Sequence, residues 1–350
     1  MTKEELLKSI ERDETIEKNI LESLNLSVMD LTGVRFKEIK FINVDFSSSK
    51  IVKTGFENCS FENCSFDKVD FEELFWQKMN VFECSFIGSN MSKSTFSNID
   101  FSKSDFSGAN LTQTTFIESI LCNANFQKVD CTKTTFVKCE IKNSIFLDGD
   151  LISTTFFKTD MDKTKFVNTN LRKCVLMDCD LIEQNFSNMK LNMVQFNNSN
   201  LSGSDFGNAN ISQSNFFECD LSTCKFNNTV ANNTIFTRAK LKSNDFTHAN
   251  LFQSNFEKAD ISECDFSAAN IGQTYFVSAD IKDTTFKNSN AKYADFSHVV
   301  FESVYFGGAD FSYSTIHRAE FIESSFDKTN CFAIKKTDKD LLEAEEFKYE

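Results

Sequence analysis

Apolar side chains occupy every fifth position of this chain. From Leu31 to Cys331 the phase never slips, and none of these 61 positions holds a charged, amide or hydroxyl side chain. An α-helix repeats its apolar face every 3.6 residues and a half-buried strand every second residue, so neither element explains a period of five. A short period kept in phase over about 300 residues is typical of a solenoid built from stacked identical units. We call these positions the core slots.

A second period lies within the first. Alternate core slots, numbered 36, 46, 56 and so on to 326, hold Phe in 27 of 30 cases, with Trp76, Leu176 and Ile316 as the exceptions. The intervening slots hold mostly Leu or Ile. The residue two before a slot is usually small, and the residue just before it is often Asp or Asn, as in Ala109-Asn110-Leu111. The repeat unit therefore reads A-(D/N)-(L/F)-x-x.

This unit resembles the pentapeptide repeat family, and the resemblance covers about 300 of the 350 residues. It implies an all-β solenoid, a right-handed parallel β-helix of square cross-section with four pentapeptides in each 20-residue coil and about 15 coils in this chain. It also implies that each Phe stacks on the Phe one coil later, so that Phe96, Phe116, Phe136 and Phe156 form one ladder. The left-handed hexapeptide β-helix of acyltransferases needs a period of six, which does not fit.

The two ends of the chain predict helices. Thr2 and Glu5 form a capping-box pattern, and an apolar stripe up to Leu24 predicts a helix over residues 2–24, with a shift of the stripe near Asp13. We therefore expect an N-terminal helical cap (1–25), the β-helix (26–333) and a C-terminal acidic helix and tail (334–350).

The C-terminal segment is the candidate for self-association. Residues 338–348 predict a short acidic helix with three large apolar side chains. Because C-terminal elements often mediate dimerisation in the family, the resemblance implies a homodimer through Leu341, Leu342 and Phe347. The simpler interpretation is that both terminal helices cover the strand edges that an open solenoid end exposes.

The sequence also bears on the cellular location of the protein and on the role of its cysteines. The sequence has no signal-peptide pattern and no apolar run long enough to span a bilayer, so we expect a cytoplasmic protein. Of the 12 cysteines, nine lie two residues before a core slot, Cys131 and Cys331 occupy slots, and Cys122 is predicted to face outward. This distribution favours core packing over disulfides or metal binding.

Little in the sequence points to catalysis. His248, His298 and His317 are predicted to face outward and to lie far apart, and there is no glycine-rich phosphate loop or metal-ligand cluster. We therefore expect no enzymatic activity, no cofactor and no bound metal. A net charge of −14 argues against direct binding of nucleic acid, which needs Lys and Arg.

Outward positions read at 20-residue intervals give columns. One column, the acidic ridge, is a candidate site for a basic partner, and the simpler interpretation is a solvated acidic surface. Its members are Asp100, Glu140, Asp160, Asp180, Asp220, Asp260, Asp280 and Glu320. We expect Lys138 and Lys158 to offset the repulsion around Asp160. A second column, Asn250, Asn270 and Asn290, predicts an amide ladder.

A third column is unexpectedly apolar. Ile117, Val137, Phe157 and Met177 follow their core slots in four successive coils, and we call them the apolar strip. Exposed contiguous apolar patches often mark contacts with other proteins. The strip is therefore a candidate partner or dimer interface, and incidental surface hydrophobicity is the alternative.

Two classes of function remain. The first is a non-enzymatic protein-interaction scaffold with an unknown protein partner. The second follows from the resemblance: some acidic members of the family mimic DNA at the DNA site of type II topoisomerases such as gyrase. This chain is longer than those members, lacks projecting loops and has only a short helix for dimerisation. Export as a secreted effector is a third interpretation.

Overall fold

Parallel pairing between residues 20 positions apart organises the backbone. In this computed structural model, which describes residues 1–346, the chain forms a parallel β-solenoid of about 15 coils with one short helix before the coils and one after them. The chain divides into two units, Met1–Val175 and Leu176–Glu350. The predicted solenoid is confirmed.

The regular elements are short. The helices are α1 (Lys3–Glu11) and α2 (Lys339–Glu346). The strands up to residue 97 are β1 (Ile16–Glu17), β2 (Ile20–Glu22), β3 (Arg35–Lys37), β4 (Lys40–Ile42), β5 (Gly55–Glu57), β6 (Ser60–Glu62), β7 (Phe75–Gln77), β8 (Asn80–Phe82) and β9 (Thr95–Ser97). The later strands are β10 (Thr115–Ile117), β11 (Thr135–Val137), β12 (Ile145–Leu147), β13 (Thr155–Phe157), β14 (Lys165–Val167), β15 (Val175–Met177), β16 (Asp260–Ser262), β17 (Asp280–Lys282), β18 (Val300–Glu302) and β19 (Glu320–Ile322).

Each strand pairs with the strand one coil away. Within the first unit, β7, β9, β10, β11 and β13 lie side by side in one sheet, in that order. Phe116 is opposite Phe96 on one side and Phe136 on the other, so the offset is 20 residues at every step. In the second unit β16 to β19 pair in sequence order, and many other coils are joined by single bridges.

The core slots fill the interior with stacked rings. Phe116 and Phe136 have ring centroids 5.0 Å apart and planes 4° apart, and Phe136 and Phe156 are 4.8 Å apart at 4°. In the second unit Phe226 and Phe246 stack at 4.7 Å. Parallel rings at these distances add to the free energy gained from burial. The predicted Phe ladder is confirmed.

The small residues two before each slot also point inward, and they solve a hydrogen-bonding problem. Thr134 Oγ1 donates to the carbonyl of Leu111 at 2.6 Å, and Ser144 Oγ donates to Leu121 at 2.7 Å. Both donors are buried, and a buried hydroxyl without a partner would be costly. Each such bond links one coil to the coil before it.

Cysteine uses the same position in the same way. Cys174 Sγ lies 2.8 Å from the carbonyl of Leu151, and all nine cysteines at this position are buried. Burial raises the pKa of Cys174 and of Cys264 to about 12. The prediction that these cysteines pack in the core is confirmed.

Positive φ angles recur two residues after the core slots. Lys128 has φ 55° and Asn208 has φ 58°. A left-handed residue costs about 1–2 kcal/mol when it is not glycine. The amide of Lys128 donates to the carbonyl of Leu147 at 2.7 Å and that of Asn208 donates to Asn227 at 3.0 Å, so a hydrogen bond to the next coil offsets this cost.

The predicted helix over residues 2–24 is wrong in its second half. The capping box at Thr2 and Glu5 is present, but α1 ends at Glu11 and Asp13 turns the chain with φ 52°. Ile16 and Leu21 continue the five-residue phase backwards and are buried, whereas Ile20 is 55% exposed. Their spacing also fits a helical stripe, which is why the sequence misleads. The solenoid therefore begins near Ile16 and not at residue 26.

The last coil is more open than expected. The core slots Phe321 and Phe326 are 37% and 42% exposed, because no further coil follows them. Cys331 also occupies a slot but is exposed, so the prediction that Cys122 alone faces outward is wrong. The described part of α2 buries no residue, and neither helix among residues 1–346 is long and apolar enough to cross a membrane.

Substituting one ring of the ladder should destabilise the protein. We expect Phe136→Ala to lower the free energy of unfolding by about 3–5 kcal/mol, because it removes a fully buried ring and leaves a cavity. Phe157→Ala, which alters an outward ring in the adjacent coil, should cost less than about 1 kcal/mol. Urea denaturation followed by circular dichroism measures both. Equal losses would show that the ladder adds nothing beyond surface packing.

Thiol reactivity should report the burial of the cysteines. A thiol with a pKa of about 12 is ionised to roughly one part in 10⁴ at pH 8, so we expect Cys174 and Cys264 to resist alkylation until the protein unfolds. Cys331 should react first and the half-buried Cys122 more slowly. Iodoacetamide labelling followed by peptide mass spectrometry tests this. Labelling of Cys264 as fast as Cys331 in folded protein would contradict the structure.

Candidate functional site

Three members of the apolar strip lie side by side in the first unit. Ile117 is opposite Val137 in the parallel register, and Val137 is opposite Phe157. All three side chains are half-buried and point outward from their strands. At the spacing of neighbouring strands, the three form a row about 10 Å long. Met177 is half-buried too, but it belongs to the second unit.

A column of threonines accompanies the strip on the same sheet. Thr115, Thr135 and Thr155 precede their core slots and are also in register and half-buried. Strands β10, β11 and β13 therefore each present one hydroxyl and one large apolar side chain to the outside. The sequence contains this column at 20-residue spacing, but a search for charged, amide and apolar columns overlooks it.

The ring of Phe157 is in contact with a cationic side chain. Lys158 Nζ lies 5.3 Å from the centre of the Phe157 ring, within the range of a cation–π contact. Phe217 occupies the same repeat position in the second unit, and Arg238 lies 5.9 Å from its ring. Phe217 has Asn197 and Thr237 at the equivalent positions of the coils before and after, so it does not belong to an apolar row.

In the first unit the acidic ridge is partly neutralised. Glu140 and Asp160 are adjacent in the parallel register, as expected. The lysine that pairs with Asp160 is Lys142, at 2.8 Å, and not Lys138 or Lys158 as predicted. Lys138 instead pairs with Glu118 at 3.3 Å, because the turn directs it toward the same position of the neighbouring coil.

Several ridge carboxylates also stabilise their own turns. Asp100 Oδ1 accepts the amide N–H of Ser102 at 2.9 Å, and Asp160 Oδ1 accepts that of Asp162 at 3.2 Å. Asn110 Oδ1 accepts the amide N–H of Thr112 at 3.0 Å in the same way, which explains why either Asp or Asn occurs just before a core slot. Part of the ridge is therefore required by the backbone.

In the second unit the ridge has the same mixed character. Asp260 and Asp280 are directly opposite each other. Burial would raise the pKa of Asp220, but hydrogen bonds from Ser222 and the charge of Lys240 lower it overall. Asp180 and Glu320 also lie in this unit, and Glu320 begins β19.

The amide ladder of the second unit forms as predicted. Asn270 Nδ2 donates to Asn250 Oδ1 at 2.9 Å, and Asn290 Nδ2 donates to Asn270 Oδ1 at 3.1 Å. The chain of amides runs along the solenoid and connects successive coils. It is a structural element and leaves few donors for a ligand.

The predicted dimer segment is only partly described. Leu341 is 48% exposed and Leu342 is half-buried, whereas Phe347 lies outside the described residues. The exposed rings of the last coil, Phe321 and Phe326, belong to the same unit. Dimerisation through this segment remains a prediction.

The prediction that the three histidines lie far apart is wrong for two of them. The rings of His298 and His317 have centroids 5.4 Å apart, and both reach Glu345 of α2. His298 and His317 are 19 residues apart, and 19 is the offset at which a turn amide donates to the next coil, as His298 N–H does to the carbonyl of His317 at 2.8 Å. Columns read at intervals of 20 cannot reveal this cluster.

Comparison with known proteins gives matches among solved structures and among family sequence models. No curated protein sequence matches the chain significantly. Among solved structures, the pentapeptide repeat protein HetL from the cyanobacterium Nostoc sp. is 18% identical, covers 64% of this chain and 90% of its own, and has a TM-score of 0.34. QnrB1, a plasmid-mediated fluoroquinolone resistance protein, is 20% identical over 46% of this chain and 80% of its own, with a TM-score of 0.28.

A pentapeptide repeat protein from the thylakoid lumen of Arabidopsis thaliana is 29% identical over 28% of this chain and 65% of its own, with a TM-score of 0.17. Family sequence models give direct matches. Pentapeptide repeats (8 copies) match residues 82–116, 104–143, 179–216 and 219–257, and a pentapeptide repeat region matches residues 240–316. These matches together cover more than half of the chain, which therefore belongs to the pentapeptide repeat family.

Proposed function

We propose that this chain is a non-enzymatic scaffold that binds a partner protein through the apolar strip of its first unit. The observation that carries the proposal is the register of Ile117, Val137 and Phe157 on one continuous sheet. Three large apolar side chains in consecutive coils form a contact that a partner can desolvate as a whole. Isolated outward apolar residues do not offer this.

The chemistry of the face suits a protein partner. Apolar side chains next to hydroxyls resemble the centre of a protein interface, where charged residues are depleted and hydrogen bonds are few. Thr115, Thr135 and Thr155 supply donors and acceptors beside the strip. Because the backbone amides and carbonyls of this sheet are used between coils, a partner has to dock on the side chains.

The proposal includes that the protein has no catalytic activity and that it acts in the cytoplasm. The repeated plan of the coil uses the inward positions for packing and leaves only surface side chains for function, which favours binding over catalysis. Ten of the 12 cysteines are buried in the core, and this use of cysteine as a core residue suits a reducing compartment such as the cytoplasm. We also propose that a second copy contacts Leu341 and Leu342 near the open last coil.

A second candidate is DNA mimicry at a type II topoisomerase such as gyrase. The observation that favours it is the net charge of −14 together with adjacent carboxylates at Glu140 and Asp160 and at Asp260 and Asp280. The pairing of Asp160 with Lys142 and of Asp220 with Lys240 weakens the negative potential of the ridge. We therefore place this function second.

Replacing Phe157 by Asp should abolish capture of the partner. We expect proteins that co-purify with the tagged full-length chain to fall at least tenfold with Phe157→Asp, because losing one apolar anchor costs about 1.4 kcal/mol or more. The matched control is Phe217→Asp, which makes the same change at the same repeat position outside the strip. Binding by the native chain should persist at high salt. Equal recovery with both variants would refute the role of the strip.

Neutralising the ridge separates the second function from the first. In a gyrase supercoiling assay with and without a quinolone, DNA mimicry predicts inhibition or protection that weakens with salt. It should also weaken in the triple variant Glu140→Gln, Asp160→Asn and Asp180→Asn. The control Asp130→Asn, Asp150→Asn and Asp310→Asn removes the same charge from another column, and Asn retains the turn hydrogen bond. No effect of native protein on gyrase would exclude this candidate.

A further inference from the structure

Three potential metal ligands meet where α2 touches the last coils. His298 Nε2 lies 3.2 Å from Glu345 Oε1, and His317 Nε2 lies 3.3 Å from Glu345 Oε2. The ligand atoms of the three residues all lie within 4.8 Å of one another. All three belong to the second unit, far in sequence from the apolar strip, so this site and the proposed partner surface can be tested independently.

We propose that His298, His317 and Glu345 bind a divalent transition-metal ion of the zinc class, which fastens α2 to the solenoid. Zinc binds imidazole nitrogen and carboxylate oxygen at about 2.0–2.2 Å, so two ligands of a tetrahedral ion lie roughly 3.3–3.5 Å apart. The two N···O distances approach this separation. They are longer than the 2.7–2.9 Å that is typical of a charge-assisted hydrogen bond.

The surroundings leave room for a fourth ligand on one side only. The side chain of His317 is 3% exposed, whereas those of His298 and Glu345 are 34% and 28% exposed. Water can therefore complete the coordination from the exposed side.

Metal binding at His317 changes the start of α2. The amide N–H of Asp338 donates to His317 Nδ1 at 3.1 Å, so the neutral ring carries its hydrogen on Nε2 and donates it to Glu345. Coordination through Nε2 moves the ring hydrogen to Nδ1 by exchange with water. The Asp338 amide N–H would then face the Nδ1–H of His317, which is also a donor, and has to turn away. Occupancy of the site is thus linked to the backbone just before α2.

Arg318 competes with the metal for the same carboxylate. Its Nη1 lies 3.3 Å from Glu345 Oε2 and 3.8 Å from Glu346 Oε1, so it has a second partner when a cation enters. A guanidinium this close repels a divalent ion. We therefore expect that removing the Arg318 side chain increases the affinity for the metal ion, although the substitution also removes an ion pair.

Zinc titration of the full-length chain, read by competition with a chromophoric chelator, tests the site. All variants carry Cys331→Ser, because an exposed thiol also binds zinc. We expect one zinc ion per chain, a Kd at least tenfold weaker in His298→Asn and in Glu345→Gln, and a tighter Kd in Arg318→Asn. His248→Asn is the matched control, since His248 and His298 share one repeat position with φ 57° and 60°. Asn tolerates these left-handed angles.

The outcomes separate the metal site from a simple ion pair. The buried His317 is left unchanged so that all variants fold, and circular dichroism confirms this. The Asp338 amide resonance in an NMR spectrum should shift on addition of zinc in the parent and not in Glu345→Gln. Zinc binding that is unaffected by His298→Asn, weaker binding in Arg318→Asn, or no binding at 100 μM zinc would each overturn the proposal.

Discussion

The hydrogen bonds between successive coils are the constraint on which the rest of the structure depends. Each coil places its residues beside those 20 positions away, and the backbone of one coil satisfies the donors and acceptors of the next. The chain cannot slip by one residue without turning its core slots outward. The same register that stacks the rings inside also aligns the side chains outside. Core ladders and surface columns are therefore two results of one repeat.

The inward positions are more tightly determined than the outward ones. A core slot needs a large apolar side chain, and the position two before it needs a small side chain that can donate to a carbonyl, as Thr134, Ser144 and Cys174 do. The position before the slot favours Asp or Asn because it accepts a turn amide. Few positions remain free of such demands, and recognition of a partner has to use those. The apolar strip is informative because no requirement of the coil explains it.

The sequence predicts the interior well because burial acts on every repeat in the same way. The Phe ladder, the amide ladder and the buried cysteines all follow from position in the repeat. The predictions fail where local contacts compete with the period. Ile16, Leu21 and Leu24 fit a helical stripe as well as the coil, and only tertiary pairing decides between them. Lys142 rather than Lys138 reaches Asp160 because a turn directs each lysine, and residue spacing does not determine that direction.

The cluster around Glu345 could not be predicted from the sequence for a different reason. His298 and His317 become neighbours through the 19-residue offset of the turn amide, and Glu345 joins them from α2 at the far side of a non-repeating connection. A column search assumes that neighbours share one repeat position. Only contacts at the same position are found in this way, so diagonal contacts and contacts from the ends are missed.

The two ends of the solenoid are closed by different forces. At the first coil Leu6 of α1 is fully buried, and Lys3 Nζ donates to the carbonyl of Asn25 at 2.5 Å, so apolar burial holds this cap in place. At the last coil the described part of α2 buries no side chain and is attached through the polar contacts of Glu345. A cap held by burial detaches only when the coil beneath it unfolds, because its loss exposes apolar surface to water. A cap held by a few polar contacts can detach while the coils remain folded, since charged groups regain hydration when they separate. The C-terminal end is therefore where this otherwise uniform structure can change state.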